Sequence, residues 1–207
     1  MSYSKYTKLS QLRKDFGIDD IMRNWLPENI ASCSTISIFL KEELKDASME
    51  ALTSEKAKSE SVIAPIIKEL RRQNPDKFSF FSGLDFNIEG SKDLKGFCDF
   101  ILSAKTEKAE ITSPVFCLVE AKDGEIDKGY AQCGAEMYAA QLFNEQEGNP
   151  KKQIFGCVTN AFSWCFLKLE NKTLYIDPNY VPLTFSEPHR VLAVLQWILD
   201  ESLKENQ

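Results

Sequence analysis

Glu120 and Lys122 stand two residues apart at the end of an apolar run, Phe116-Cys117-Leu118-Val119. Alternate residues of a strand share a face, so this carboxylate and this ammonium point the same way. Charged groups at the end of a buried face must meet a cation, a partner or water. A strand ending near Val119 would leave both as solvated turn residues before Asp123-Gly124, and E-x-K triplets are common. Asp99 shifts that balance. It is flanked by Phe97, Cys98, Phe100 and Ile101, where turn chemistry does not explain an aspartate. If the two strands pair, Asp99 sits beside Glu120. Two carboxylates in one apolar setting repel, and they stay ionised only if a cation bridges them. Oxygen-only ligation favours Mg²⁺, with Mn²⁺ as its substitute. A third carboxylate, Glu60, lies three, seven and ten residues before Ile63, Ile67 and Leu70. On a regular helix those spacings turn it toward the sheet, and a place at the stripe edge, reaching solvent, is the alternative. Glu55 reads as a first-turn residue favoured by the helix dipole.

The elements that must position these groups follow from periodicity. Residues 1–50 read as helical: Leu9, Leu12 and Phe16 recur at helical spacing before Gly17, and Ile36, Phe39, Leu40 and Leu44 follow Ser34 or Thr35 as candidate caps. Residues 53–75 form the first strong helix, capped by Thr53 or Ser54, with Ile63, Ile66, Ile67 and Leu70 as its stripe. Pro65 inside it costs about 3 kcal/mol unless a kink or turn accommodates it. Strands are expected over 78–90, 96–102 and 113–122, then a helix over 125–146, strands over 153–160, 161–171 and 173–179, and a last helix over 187–205. The fold class is α/β (α+β), helices on a central mixed sheet. The division expected is a helical N-terminal extension, 1–50, packed on a domain of residues 51–207.

The composition excludes several classes. His189 is the single histidine, and at the start of a helix its default is a cap or an exposed position. A Ser-His-Asp or Cys-His hydrolase would depend on it, and no G-x-S-x-G elbow is present. Neither nucleotide-binding glycine loop occurs. Six cysteines form no C-x-x-C pair and read as small buried hydrophobes of a reducing compartment. No apolar run is long enough to span a bilayer, and residues 1–16 lack the apolar core of a secretion signal. A cytoplasmic protein without a membrane partner is expected. The net charge of −6 counts against a protein that merely coats nucleic acid. Arg71-Arg72, Lys92, Lys95, Lys128 and Lys151-Lys152 are the candidate local cations, with scattered solubilising roles the simpler reading.

Glu60 in a helix, Asp99 in one strand and Glu120-Ala121-Lys122 in the next resemble the PD-(D/E)xK nuclease superfamily, and the wording of residues 50–180 looks like an uncharacterised bacterial branch of it. The resemblance implies a restriction-endonuclease-like core in the order αβββαβ. It implies Asp99 and Glu120 as metal ligands, the Ala121 carbonyl and Glu60 completing the shell, and Lys122 serving the attacking water and the phosphate. Gln132 matches a glutamine that related nucleases place near the site. The implied activity is Mg²⁺-dependent phosphodiester hydrolysis, as a DNA endonuclease in restriction, defence or repair. A homodimer would suit cutting both strands of a duplex. Cys98 replaces the motif's proline, which is not catalytic. Glu136 stands four residues beyond Gln132, where the exonuclease-like branch has tyrosine, which places an exonuclease assignment in doubt. Two alternatives stand beside this: a non-catalytic nuclease-fold binding or regulatory subunit, and an unrelated α/β domain in which Glu60 lies far from Glu120.

Overall fold

The computed structural model describes residues 3–31 and 35–204. Its centre is a mixed eight-stranded sheet: β1 (Asp19–Met22), β2 (Phe78–Asp85), β3 (Phe97–Ala104), β4 (Val115–Ala121), β5 (Gln153–Thr159), β6 (Ser163–Glu170), β7 (Thr173–Ile176) and the short β8 (Val181–Pro182). The spatial order is β1-β7-β6-β5-β4-β3-β2, with β8 on β6. The pairs β4–β5 and β1–β7 are parallel and the others antiparallel. β4 is buried at all seven positions, as expected of a central strand covered on both faces.

Helices cover both faces. On one lie α2 (Ile38–Ala47), α4 (Ala64–Gln73) and α6 (His189–Lys204), around Leu40, Leu44, Trp164, Phe166 and Leu195. On the other lie α1 (Leu9–Phe16) and α5 (Tyr130–Gln146), around Leu12, Leu118, Met137 and Leu167. Gly17 closes α1 in the left-handed conformation, at φ 67°, which its missing Cβ permits. Ser37, not Thr35, caps α2 by accepting from the Leu40 N–H; the other candidate, Ser34, and Cys33 fall outside the described residues. Phe39 proves exposed. Residues 3–31 are not purely helical either. They contribute β1, whose largely exposed sequence Asp-Asp-Ile-Met carries no apolar alternation to reveal it. Five cysteines are buried free thiols.

The first strong helix is broken in a particular way. Ser54 caps α3 (Glu55–Lys58) by accepting from Ala57 N–H. A π-helical turn follows over Ser59–Ile63, and then α4 begins. The Ala64 N–H donates to the Ser59 carbonyl, five residues back. Pro65 explains the turn. It has no N–H to donate, and its ring crowds the carbonyl four residues before it. One extra residue per turn relieves that crowding without ending the helix. Val62, Ile63, Ile66, Ile67 and Leu70 are all at most 1% exposed. Burying five such side chains favours the packed helix by roughly 10 kcal/mol before entropy is counted.

α5 is fixed to β4 by an asparagine. Fully buried Asn144 accepts from Val115 N–H at 2.7 Å and donates to Val115 C=O at 2.7 Å. The side chain thus acts as a piece of strand, pairing the first residue of β4 and fixing where the strand starts.

Candidate active site

β3 and β4 pair with Phe100 opposite Val119 and Ile101 opposite Leu118. The recorded ladder between them stops at Val119. The Asp99 carboxylate takes over from it: Ala121 N–H donates to Asp99 Oδ2 at 2.8 Å. Continued by one residue, the same register sets Asp99 against Glu120. N–H and C=O of one strand residue leave by the same edge, so the Ala121 carbonyl emerges on the Asp99 side.

Glu120 is 2% exposed. One of its oxygens accepts from Lys122 Nζ, and Oε2 has no protein partner. Lys122 Nζ also donates to Gln132 Oε1 at 3.3 Å. Gln132 in turn donates through Nε2 to Glu136 Oε1 at 3.2 Å. Glu136 is fully buried and its Oε2 is also unpartnered.

Burial dominates the electrostatics. It pushes Glu120 up to about 8, with the Asp99 charge acting in the same direction and Lys122 opposing. Glu136 is pushed well above the usual carboxyl range by burial and then by Glu120. Asp99 is raised by burial, tempered by the Ala121 amide and Lys122. For Lys122 burial acts downward, but Glu120, Glu55 and Asp99 outweigh it and hold the ammonium above its ordinary value. This is a cluster of carboxyls short of positive charge, with one fixed ammonium at its edge.

Of the two helix acids, Glu55 and not Glu60 is withdrawn from solvent. Glu60 is exposed and sits 3.8 Å from Lys56 Nζ. Glu55 is half-buried; burial raises its carboxyl, while the Lys122 charge and the Asp123 backbone hold it down. The π turn is the reason. Eight residues separate Glu55 from Ile63, about 800° on a regular helix, leaving them about 80° apart. With one residue absorbed by the π turn the eight behave like seven, about 700°, and Glu55 returns to the stripe. Lys58 secures this end, reaching Asp123 Oδ1 at 2.8 Å.

Gly129 just before α5 seats the lysine. A Cβ there would stand 2.5 Å from Val158 Cγ1 and 3.2 Å from both Cγ and Cε of Lys122. Such a methyl would collide with Val158 and press on the lysine stem that lies across this turn. Asp99, Glu120, Ala121, Lys122 and Gln132 are therefore brought together and Glu60 is not. Glu136 joins them through Gln132, and half-buried Glu55 lies within the electrostatic field of Lys122 and Asp99. Glu136 was detectable as the residue one turn beyond Gln132 on the same helix face.

Among the described residues no group of three or more His, Cys, Asp or Glu side chains forms a ready metal cage. Mg²⁺ usually keeps several waters and takes one or two carboxylates plus substrate phosphates. The pair Asp99 and Glu120, with an orphaned buried oxygen beside them, suits a metal of that kind better than a closed structural site. Several expected cations are engaged elsewhere: Lys151 is buried and donates to Ser202 C=O at 2.7 Å, Arg72 pairs with Glu69, and Lys128 pairs with Glu125 at 2.7 Å. No protein-family model matches the chain, and no curated protein matches it significantly in sequence.

Proposed function

We propose that this protein is a metal-dependent phosphodiesterase, a nuclease of the PD-(D/E)xK kind, for which DNA is the first substrate to screen. The observation that carries the reading is the meeting of Asp99, Glu120 and Lys122 where β3 and β4 part. The order of α4, three strands, α5 and β5 agrees with a restriction-endonuclease-like core. Asp99, Glu120 and the Ala121 carbonyl would hold Mg²⁺, or Mn²⁺ in its place. The metal supplies Lewis acidity and a water of lowered pKa. Glu55 adds negative charge from the helix side in the place first assigned to Glu60. Lys122, steadied by Gln132 and Gly129, presents fixed positive charge to a phosphate. Metal binding would require the raised carboxyls to release their protons, so affinity rises with pH.

The test is cleavage of single- and double-stranded nucleic acids in Mg²⁺ or Mn²⁺ by wild type, Asp99→Ala and Lys122→Ala. Both variants should lose cleavage while their melting profiles stay cooperative. Undiminished cleavage in either sinks the assignment. A second reading, a nuclease-fold protein that binds without cutting, is favoured by one observation: the Lys122 ammonium is tied to Glu120 itself. Metal titration separates the two, since only the enzyme needs a cation at Asp99 and Glu120.

A further inference from the structure

Glu136 burdens the fold that holds it. It stands in the middle of α5 and is 0% exposed. Its helix neighbours Cys133, Ala135, Met137, Ala139 and Ala140 are apolar and buried. Its Oε2 has no hydrogen-bond partner. A buried carboxyl oxygen without a partner is destabilising. An apolar side chain of similar length would pack at this position without that penalty. Packing therefore gives no reason for a carboxyl here, whereas its one hydrogen bond does.

That bond leads toward Lys122. Gln132 Nε2 donates to Glu136 Oε1 at 3.2 Å, and Gln132 Oε1 accepts from Lys122 Nζ at 3.3 Å. A glutamine amide has one donor end and one acceptor end, and an ammonium can only donate. Lys122 therefore needs the carbonyl end facing it. Turned over, the amide would set its NH2 against the ammonium. Glu136 accepts from the NH2 end and keeps it on the far side. The two residues lie one turn apart on a single helix face, so the helix itself holds them in register. Lys122 has another hold, on Glu120. That carboxylate is also a proposed metal ligand, and an oxygen given to a cation is lost to the ammonium. The Gln132 carbonyl is the acceptor that does not compete with a metal.

Resting on the nuclease reading for what Lys122 serves, we infer that Glu136 is a positioning residue: it fixes the Gln132 amide, and the amide fixes the Lys122 ammonium. Glu136 acts through Gln132 and not on the substrate itself.

The test compares Gln132→Leu, Glu136→Leu, the double variant and Glu136→Gln. The first readout needs neither metal nor nucleic acid: the rate at which an active acetyl ester acetylates Lys122, followed by peptide mass spectrometry. Losing the Gln132 hold should speed acetylation roughly tenfold, the lower end for a hydrogen bond to an ion. The same gain is expected in Gln132→Leu, Glu136→Leu and the double variant, because residues acting in series are not additive. Glu136→Gln keeps an acceptor for the amide and should stay within about threefold of wild type. The urea midpoint of Glu136→Leu should hold or rise, whereas a residue kept for the fold would lower it. Should Glu136→Leu not fold, Glu136→Met takes its place. Unchanged acetylation in Glu136→Leu, a gain in the double variant equal to the product of the singles, or Glu136→Gln matching Glu136→Leu overturns the inference. In a cleavage assay, kcat should fall by a common factor in the same three variants. A wild type that cuts nothing would sink the nuclease reading and leave the acetylation result standing.

Discussion

The exchange of Glu60 for Glu55 yields a prediction that tests the helix geometry and the site together. Glu55→Gln and Glu60→Gln remove the same charge from one helix, five residues apart. Glu60 is 69% exposed and faces Lys56, so its loss should change stability and metal affinity by no more than about 0.5 kcal/mol. Glu55 is half-buried and shares the field of Asp99 and Lys122. Supporting residues around a metal typically affect affinity by 10- to 100-fold. With Glu55 only partly withdrawn from water, the lower end applies: about tenfold weaker Mn²⁺ binding, or about 1.4 kcal/mol. The assay is titration calorimetry with Mn²⁺ in the presence of nucleic acid, with melting curves to show that both variants fold. Equal losses in the two variants, or a larger loss in Glu60→Gln, would refute the claim that the π turn sets which acid serves the site.

Other perturbations reach other parts of the structure. Asn144→Ala leaves the Val115 N–H and C=O without their partners and should cost roughly 2–4 kcal/mol by urea unfolding, as two buried orphans; a loss under about 1 kcal/mol would mean that water replaces the amide. Gly129→Ala places a methyl 2.5 Å from Val158 Cγ1 and 3.2 Å from the Lys122 stem, so it should cost about 1–3 kcal/mol and lower cleavage together with it. Unchanged cleavage would show that the seat of Lys122 does not matter. For Glu69, burial acts to raise the carboxyl, but hydrogen bonds from Ser37, Gln73 and Arg72 outweigh it and hold it below 4.5. A carboxyl depressed in the folded state stabilises above its unfolded value and loses that effect as pH falls through its folded value. The stability gap between wild type and Glu69→Gln should therefore close as pH drops below 4.5, and a gap that widened in acid would reverse the sign.

Much of this was legible because the relevant signals were local. Apolar alternation and turn residues located β2 to β7, and Ser54 and Gly17 marked helix ends as capping chemistry requires. Asp99, Glu120 and Lys122 stood out because charges interrupt apolar runs. What escaped depended on contacts distant in sequence or on a change of period. β1 has no amphipathic pattern and exists because β7 offers it an edge, Asp19 against Thr173 through Met22 against Ile176. Glu136 stands one turn beyond Gln132, a spacing visible in the sequence, but in a helix buried nearly all round that spacing alone did not mark it as part of the site.

The case of Glu55 is more instructive, because the sequence held the warning. Pro65 announced that the helix could not run on unchanged, and a proline in mid-helix is commonly read as a kink. Here it is absorbed by a wider turn, so the axis continues and only the phase changes. Every residue before Ser59 is rotated by about 100° relative to the count made on a regular helix. The apolar stripe after the turn is unaffected, which is why Ile63, Ile66, Ile67 and Leu70 behave as expected, while Glu60 falls inside the turn itself and Glu55 before it changes face. Pro65, remote from Asp99 and Lys122 in sequence, thus sets which of the two helix acids turns toward the buried side. The same reasoning limits what substitution at position 65 can do without functional effect: any residue that restored the missing N–H would favour a regular helix, and a regular helix turns Glu55 away from the site.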